Sequence, residues 1–255
     1  KGASGLAQRL GLSPFQAGLL LVAFATSMPE LAVNAYAVHA GNTDLALGNA
    51  VGSNIVNFGL TLGLAAIAAP LLVRMRLLSS LLVLLVVATL ALIVFGLDGV
   101  VSRVEGVVML LAFVAMLAFV LARGGRESIE VRDSIAAFAT TRSALWMNLL
   151  RFAVASALLY FGAKLVVQSA PMIGASWGLS PLLVGLLPIA IGTALPEVAA
   201  AIAAARRGQG DMVVGHVIGS SLFNLLVVVG GMAALRPLPL PASFVRLELP
   251  AAIAL

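Results

Sequence analysis

Long runs of apolar residues dominate the chain and leave few polar positions between them. The runs fall at 14–38, 45–72, 77–97, 100–122, 145–175, 180–205 and 212–235, and an eighth begins near Ser243. Each of the complete runs approaches the ~20 residues that an α-helix needs to cross the hydrocarbon core of a bilayer. The pattern therefore predicts an all-α membrane protein.

The composition excludes several classes of protein. With 62% hydrophobic and 10% charged residues among 255, the chain has more apolar surface than a soluble domain of this size can bury. It has no cysteine, which excludes disulfides, thiolate metal sites and cysteine nucleophiles. The net charge of +5 fits basic loops on one side of a lipid bilayer, so we expect no nucleic-acid partner.

Two segments of the chain are copies of one another. Residues 11–71 and 178–238 align without a gap at an offset of 167 and are identical at about 23 of 61 positions. Such self-similarity is the signature of an internal repeat. The first copy contains TSMPEL and GNAVGSNIVN, and the second contains TALPEV and GHVIGSSLFN. Each copy has one glutamate, Glu30 or Glu197, inside a strongly apolar stretch.

The copies divide the chain into two halves. The first half is 1–122, a charged linker follows at 123–143, and the second half is 144–255. Placing the linker in the cytoplasm puts about eleven basic residues on that side and three outside, as the positive-inside rule requires. An odd number of crossings then separates the copies, so the second is inverted relative to the first. Inverted repeats that meet at mid-membrane are typical of secondary transporters.

The two halves also predict a helix count. The second half stops within its last apolar run, and 145–175 has no counterpart in the first half. We therefore expect an inverted-repeat transporter of ten helices in two antiparallel five-helix halves, of which about seven and a half are present in this chain. The expected location is the cell (inner or plasma) membrane. Because one chain contains both copies, a monomer is sufficient for one site.

A proline precedes each of the two glutamates. Proline has no N–H, and its ring crowds the carbonyl group four residues earlier in a helix. Pro29 and Pro196 therefore release main-chain oxygens next to a carboxylate. The oxygens freed or loosened in this way belong to Ala25, Thr26, Gly192 and Thr193. Inside a membrane such oxygens require a cation or water.

The segment after each glutamate has polar residues at every fourth position. These are Asn49, Ser53, Asn57 and Thr61 in the first copy, and His216, Ser220 and Asn224 in the second. Four-residue spacing keeps side chains on one helix face. Together with the two carboxylates they predict an all-oxygen site for a hard cation, Ca²⁺ or Na⁺. Two negative charges balance one Ca²⁺ or two monovalent ions, so the two loads exclude one another.

The paired motifs resemble the alpha-1 and alpha-2 repeats of the calcium/cation antiporter superfamily, and most closely those of prokaryotic sodium/calcium exchangers. The resemblance covers both copies, about half of the chain. It implies antiport of Ca²⁺ for Na⁺ by alternating access, with no cofactor beyond the transported ions. The ligands that it implies are Glu30 and Glu197 at the centre, main-chain oxygens of Thr26 and Thr193, the hydroxyls of Ser27, Ser53 and Ser220, and Asn57.

Two positions depart from the family pattern. Asn224 stands where many exchangers have aspartate, and Ala194 stands where they have serine. The missing carboxylate weakens the case for a third monovalent ion, and the missing hydroxyl weakens one sodium position. Exchange of Ca²⁺ for two Na⁺ and exchange for H⁺ both remain open. His216 is read as a packing residue, with pH sensing as the alternative.

Other interpretations of the same residues were weighed. Lys164 could close Glu30 and Glu197 into a structural ion pair, but burying these charges is costly. An intramembrane enzyme would need a base beside its serines and threonines, and none is present, so we expect no enzyme. A passive channel would need a pore ring repeated over several subunits. Asp44 and Asp211 are predicted to be N-caps, and Gly48 and Gly52 to permit close helix packing.

Overall fold

The part of the chain that the computed structural model describes is almost entirely helical. It comprises residues 27–124, 129, 133, 136 and 144–254, with the side chains of Gly124, Pro196 and Ile253 left aside. The uninterrupted helices are α1 (Met28–His39), α3 (Leu77–Phe95), α4 (Arg103–Gly124) and α5 (Leu145–Ser176). Four further helices each contain a stretch of π-helix.

Helices α2 and α7 have the same anatomy in the two copies. Helix α2 consists of Thr43–Val56, a π-helical segment Asn57–Leu62, and Gly63–Ala68. Helix α7 consists of Gly210–Phe223, a π-helical segment Asn224–Val229, and Gly230–Leu235. Every boundary in α7 lies 167 residues after its equivalent in α2. These two equivalent helices therefore fold alike, including the position of the π-helical segment.

Helix α6 is bent, and α8 is short. Helix α6 consists of Pro181–Val184, the π-helical segment Gly185–Ile189, and Ala190–Ala205. Its axis bends by 49° between Pro181–Leu195 and Glu197–Ala205, at the proline that cannot donate a main-chain hydrogen bond. Helix α8 consists of Phe244–Glu248, which is π-helical, and Leu249–Ala254.

Several helices are long and apolar enough to cross a membrane. Within the described ranges these are α2, α3, α4, α5 and α7, and the bent α6 is a sixth if its two parts form one span. Their outer faces expose large apolar side chains, such as Val83, Leu111 and Leu158. A soluble protein would not leave such a surface in contact with water. The described residues are thus those of a multi-pass helical membrane protein. Residues 14–26 of the first expected span lie outside the described part.

Glycines bring α2 of the first copy into backbone contact with α6 of the second. A Cβ atom on Gly48 would overlap the carbonyl oxygen of Leu182, and one on Gly52 would overlap that of Leu186. Gly185 on α6 is equally close to Leu45 on α2. The predicted packing role of Gly48 and Gly52 is confirmed, and this contact fixes the two copies against each other beside the acidic residues.

The predicted N-caps are wrong. Helix α2 begins after Asn42 and α7 after Gln209, which places Asp44 and Asp211 inside the first helical turn. The Asp211 carboxylate instead accepts hydrogen bonds of 2.7 Å from the main-chain N–H groups of Arg74 and Met75. Those two N–H groups lie just before α3, and the Asp211 carboxylate is their acceptor in place of a helical carbonyl oxygen.

The end of α7 in the second copy is joined to the first copy by an arginine. The Arg236 guanidinium, just after α7, donates to Thr43 Oγ1 at 2.7 Å and to the Val38 carbonyl oxygen at 3.3 Å. Nearby, β1 (Val100–Val101) pairs with β2 (Leu238–Pro239) in a two-stranded antiparallel ladder. Polar contacts therefore connect the end of each copy with the other half of the chain.

Candidate ion-binding site

Glu30 lies at the start of α1. It is in the first turn of this twelve-residue helix, three residues after Ser27, and its side chain is 3% exposed. A helix N-terminus carries a partial positive charge and free N–H groups, which favours an anion at this position. Pro29 lies in the first turn, so it removes no hydrogen bond within α1, and the carbonyl group of Ala25 that it was predicted to free lies outside the described residues.

Glu197 faces Glu30 from the second copy. It follows the bend in α6, and its side chain is 2% exposed. The two carboxylates are close enough to repel one another, and Thr193 lies beside Glu30. Both carboxylate oxygens of Glu197 and Oε2 of Glu30 lack a hydrogen-bond partner among the described residues. Two neighbouring buried carboxyl groups with unpartnered oxygens have to be neutralised, either by a cation bound between them or by protons.

Serine side chains complete the contact between the copies. The hydroxyls of Ser27 and Ser220 are hydrogen-bonded to one another, although the residues are 193 positions apart. Ser220 lies on α7 and Ser53 on α2, at equivalent positions of the two copies. Ser53 Oγ is buried and has no partner among the described residues. These three serines, whose hydroxyls the family resemblance implies as sodium ligands, have side chains that are 0–1% exposed.

Each of the two predicted amide ligands lies at the first position of a π-helical segment. Asn57 begins the one in α2 and Asn224 the one in α7, and both side chains are buried. A π-helical turn inserts an extra residue and disturbs the regular hydrogen bonds, and such turns are frequent at functional sites. Thr61, within the π-helical segment of α2, is also buried, and the equivalent residue of α7 is the buried Val228.

Asn54, which is not among the predicted ligands, forms hydrogen bonds between the two copies. Its Nδ2 donates to the main-chain oxygen of Ser221 at 3.3 Å, and its Oδ1 accepts from Nδ2 of Asn224 at 3.3 Å. Oδ1 of Asn224 is buried and has no partner among the described residues. The signal that could have found Asn54 is its place beside Ser53 in the GSN sequence, three residues before Asn57.

A second buried amide pair lies one turn from the acidic residues. Nδ2 of Asn49 donates to Oδ1 of Asn34 at 2.9 Å, which joins α2 to α1. Asn34 is four residues after Glu30 and Asn49 four before Ser53, so both share a helix face with those residues. The polar stripe predicted from Asn49 is therefore used, at this end, to fasten two helices together.

The other predicted ligand positions are less buried or fall outside the described residues. Gly192 is exposed and lines, with half-buried Thr193, a cavity of about 610 Å³ between α1, α5 and α6. Ala194, the position that lacks a hydroxyl, is buried. Ala25 and Thr26, from which main-chain ligands were predicted, lie outside the described residues.

The charged groups around the acids are few. Lys164 is half-buried on α5, and the unpartnered oxygens of Glu197 show that it does not close that carboxylate into a hydrogen-bonded pair. Over the described ranges no three His, Cys, Asp or Glu side chains come together as a metal cluster. Any ion held here would have two carboxylates and neutral oxygens, a donor set that suits hard cations.

Comparison with known proteins identifies the family. Residues 1–122 and 147–255 match the family model described as sodium/calcium exchanger protein. The chain belongs to the sodium/calcium exchanger family. The match spans both copies of the repeat and both prolines that precede the glutamates, so family membership rests on the same segments that build the candidate site.

Individual relatives agree with the family assignment. The inner membrane protein YrbG of Escherichia coli (strain K12) is 35% identical over 241 residues, which are 92% of this chain and 74% of that protein. The sodium/calcium exchanger MaX1 of Methanosarcina acetivorans is 27% identical over 273 residues, covering 93% of this chain and 78% of the relative. The solved structure of the sodium-calcium exchanger NCX_Mj has a TM-score of 0.68 at 28% identity, and the match covers 99% of this chain and 81% of that one.

Family and fold together establish the general activity. This sodium/calcium exchanger family member is a multi-pass membrane protein that carries out cation antiport of the calcium/cation type. The resemblance inferred from the paired motifs is thereby confirmed. The coupling ion, the ligand set and the orientation in the membrane are matters for a proposal.

Proposed function

We propose that the protein exchanges Ca²⁺ for Na⁺ across the cell membrane by alternating access, with both ions competing at one central site. The observation that carries this proposal is the buried pair of carboxylates, Glu30 and Glu197, one from each copy. Oε2 of Glu30 and both carboxylate oxygens of Glu197 lack hydrogen-bond partners among the described residues. A charge of −2 is balanced by one Ca²⁺ or by two Na⁺. Binding of either load therefore excludes the other, which couples their movements.

The proposed ligands are all oxygens. The carboxylates of Glu30 and Glu197 are central, and the amide oxygens of Asn57 and Asn224 extend the site along α2 and α7. The remaining proposed ligands are the hydroxyls of Ser27, Ser53 and Ser220 and the main-chain oxygens of Ala25, Thr26, Gly192 and Thr193. The burial of both glutamates and of all three serines supports this set.

Alternating access is proposed to use the inverted arrangement of the two copies. Equal boundaries in α2 and α7 support a common ancestry of the copies, and the basic residues of 123–143 support a cytoplasmic linker. With both glutamates in one chain, a monomer forms a complete site. The protein is not an enzyme in this proposal and needs no cofactor or nucleic-acid partner; its partners are Ca²⁺, Na⁺ and the lipid bilayer.

Uptake into vesicles tests the proposal. Proteoliposomes containing the full chain, loaded with Na⁺ and diluted into Na⁺-free buffer with radioactive Ca²⁺, should accumulate Ca²⁺. Glu30→Gln or Glu197→Gln should abolish uptake, because a single remaining charge cannot neutralise Ca²⁺ in a buried site. Uptake that does not depend on the Na⁺ gradient would contradict sodium coupling.

A matched control is available at Glu105. This residue lies in the first turn of α4, where its carboxylate accepts from the Ser102 N–H at 2.7 Å and the Ser102 hydroxyl accepts from the Glu105 N–H at 3.3 Å. The reciprocal pair is a capping box, which glutamine can also form. Glu105→Gln therefore makes the same chemical change outside the site and should retain transport.

The alternative is a Ca²⁺/H⁺ exchanger. The observation that favours it is the same pair of acids, since two protons neutralise two carboxylates as well as two Na⁺ do. Asn224, neutral where many exchangers have an acid, removes one sodium-binding charge. An imposed pH gradient without Na⁺ should drive Ca²⁺ uptake if this alternative holds, and should drive none if the exchanger is sodium-coupled.

A further inference from the structure

The amide of Asn224 is held by a hydrogen-bonded connection that crosses from one copy to the other. Asn54, on α2, donates through Nδ2 to the main-chain oxygen of Ser221 on α7. Its own Oδ1 accepts from Nδ2 of Asn224, one turn further along α7. Asn54 therefore uses both ends of its amide at once, and a main-chain oxygen, which cannot donate, decides which end faces Asn224.

This connection also decides which atom Asn224 presents on its other side. Because Nδ2 of Asn224 is engaged by Asn54, the carbonyl oxygen Oδ1 is directed away from that contact, and it has no partner among the described residues. Asn224 is four residues after Ser220, whose hydroxyl bonds to Ser27 below Glu30. A free amide oxygen on the helix face of the ion site is a ligand for a hard cation.

We propose that Asn54 is a positioning residue, which fixes the orientation of the Asn224 amide so that its oxygen, and not its nitrogen, faces the transported cation. The inference rests on the proposed function, because it takes Asn224 to be an ion ligand. Without Asn54, the amide can rotate by half a turn and place an N–H₂ group against the ion. The hydrogen bond from Asn224 to Asn54 therefore allows a neutral amide to act as the ligand at a position where many family members have a carboxylate.

Among the described residues, Asn57 has no counterpart of the hydrogen bond between Asn54 and Asn224. The position equivalent to Asn54 in the second copy is Ser221, whose side chain is too short to hold an amide in both directions. Within the part of the chain described, Asn57 has no amide partner of the kind that Asn224 has. The two copies thus supply one fixed amide and one adaptable amide to the same site.

The effect expected on ion binding is that of one ordinary hydrogen bond. Losing such a bond changes an equilibrium constant by between about two- and tenfold. Asn54→Leu keeps the branched shape of the side chain and removes both polar ends, so it should weaken Ca²⁺ binding by that factor. A purely structural defect would lower the folded yield and the Ca²⁺ affinity together. Loss of the Asn54–Asn224 hydrogen bond should lower the Ca²⁺ affinity alone.

A double-mutant cycle tests the proposal on the full chain. Ca²⁺ affinity is measured by calorimetric titration with CaCl₂ for the wild type, Asn54→Leu, Asn224→Ala and the double variant. If Asn54 acts through Asn224, Asn54→Leu weakens binding in the wild-type background and has no effect when Asn224 is alanine. Thr89→Val serves as control, because Thr89 is buried on α3 and its hydroxyl bonds only within that helix, to Leu85 O.

Each outcome decides between explanations. An equal loss from Asn54→Leu in both backgrounds would overturn the positioning role, since the residue would then act independently of Asn224. Unchanged Ca²⁺ affinity in Asn54→Leu would overturn it as well. Neither result touches the proposed function, which fails separately if Glu30→Gln and Glu197→Gln still transport Ca²⁺. Thermal unfolding of the detergent-solubilised variants shows whether Asn54→Leu folds; if it does not, Asn54→Ser replaces it in the cycle.

Discussion

The two copies of the repeat share the proposed ion ligands and the proline before each glutamate. They differ in the polar residues that hydrogen-bond around these positions. Both copies keep the proline, the glutamate, the serine and the asparagine of the site at an offset of 167. The buried polar positions that differ between the copies include Ser27 and Ala194, Asn34 and Ala201, Asn49 and His216, Asn54 and Ser221, and Thr61 and Val228. In every one of these pairs except Asn49 and His216, the first copy has the larger polar group or the only one.

The polar residues that differ between the copies show which hydrogen bonds hold the side chains around the proposed ion site. Asn34 and Asn49 fasten α1 to α2 within the first copy, and Asn54 of the first copy holds Asn224 of the second. The second copy supplies proposed ligands of the same type, and one of them, Asn224, is hydrogen-bonded by a side chain of the first copy. The proposed site is therefore nearly symmetric in charge, while the hydrogen bonds that hold its side chains differ between the copies.

The largest effect is expected where the copies touch through their backbones. Gly48→Ala should remove most folded protein, because the new Cβ would overlap the Leu182 carbonyl in the contact between α2 and α6. The clash is with main chain, which cannot move aside as a side chain can. Fluorescence-detected size-exclusion chromatography of the detergent extract measures the folded fraction.

Gly63→Ala is the matched control for that change. Gly63 lies on the same helix, and a Cβ there meets nothing within 4 Å. Alanine is favoured over glycine in a helix by about 1 kcal/mol, so this variant should be at least as stable as the wild type. Equal loss in both variants would show that α2 tolerates no change at all, and that the contact with α6 is not what makes Gly48 sensitive.

The next effect separates equivalent aspartates. Asp211→Ala removes the acceptor of two main-chain hydrogen bonds and should lower the free energy of unfolding by about 1–3 kcal/mol. Asp44→Ala, at the same position of the first copy, removes an exposed first-turn acid, which typically contributes about 0.3–1 kcal/mol through the helix dipole. Thermal unfolding in detergent compares them. A larger shift for Asp44 would contradict the role given to Asp211.

The smallest effect concerns the hydroxyl present in only one copy. Ser27→Ala makes the first copy resemble the second at this position and breaks the bond to Ser220. We expect the Na⁺ concentration for half-maximal Ca²⁺ exchange to rise by about two- to tenfold, the effect of one neutral hydrogen-bonding group. The Na⁺ dependence of uptake gives this value. No change, or a change in Ca²⁺ affinity alone, would remove Ser27 from the sodium site.

The sequence predicted the apolar helices, the repeat and the paired acids, because each depends on composition or on self-similarity. It did not reveal the π-helical segments that begin at Asn57 and Asn224, since one extra residue per turn leaves no mark in a nearly uniform apolar run. The N-caps were misplaced by two residues because α2 and α7 start after Asn42 and Gln209, where no side chain caps the helix.

The partners of Asn54 could not be predicted, for a different reason. Its partners, Ser221 and Asn224, are about 170 residues away in the sequence and are reached only when α2 and α7 are packed together. A single chain contains no signal for such a pairing beyond the presence of an extra amide next to a predicted ligand. The ligands could therefore be proposed from the sequence, while the residue that orients one of them required the structure.

The most direct test of the central claim is a count of Ca²⁺ bound at equilibrium to the purified full chain, with and without Na⁺. One shared site predicts one Ca²⁺ per chain, displaced by Na⁺, and predicts that Glu30→Gln and Glu197→Gln each abolish binding entirely. A count of two, or one glutamine variant that still binds Ca²⁺ with wild-type affinity, would mean that the copies bind ions independently and would contradict the account.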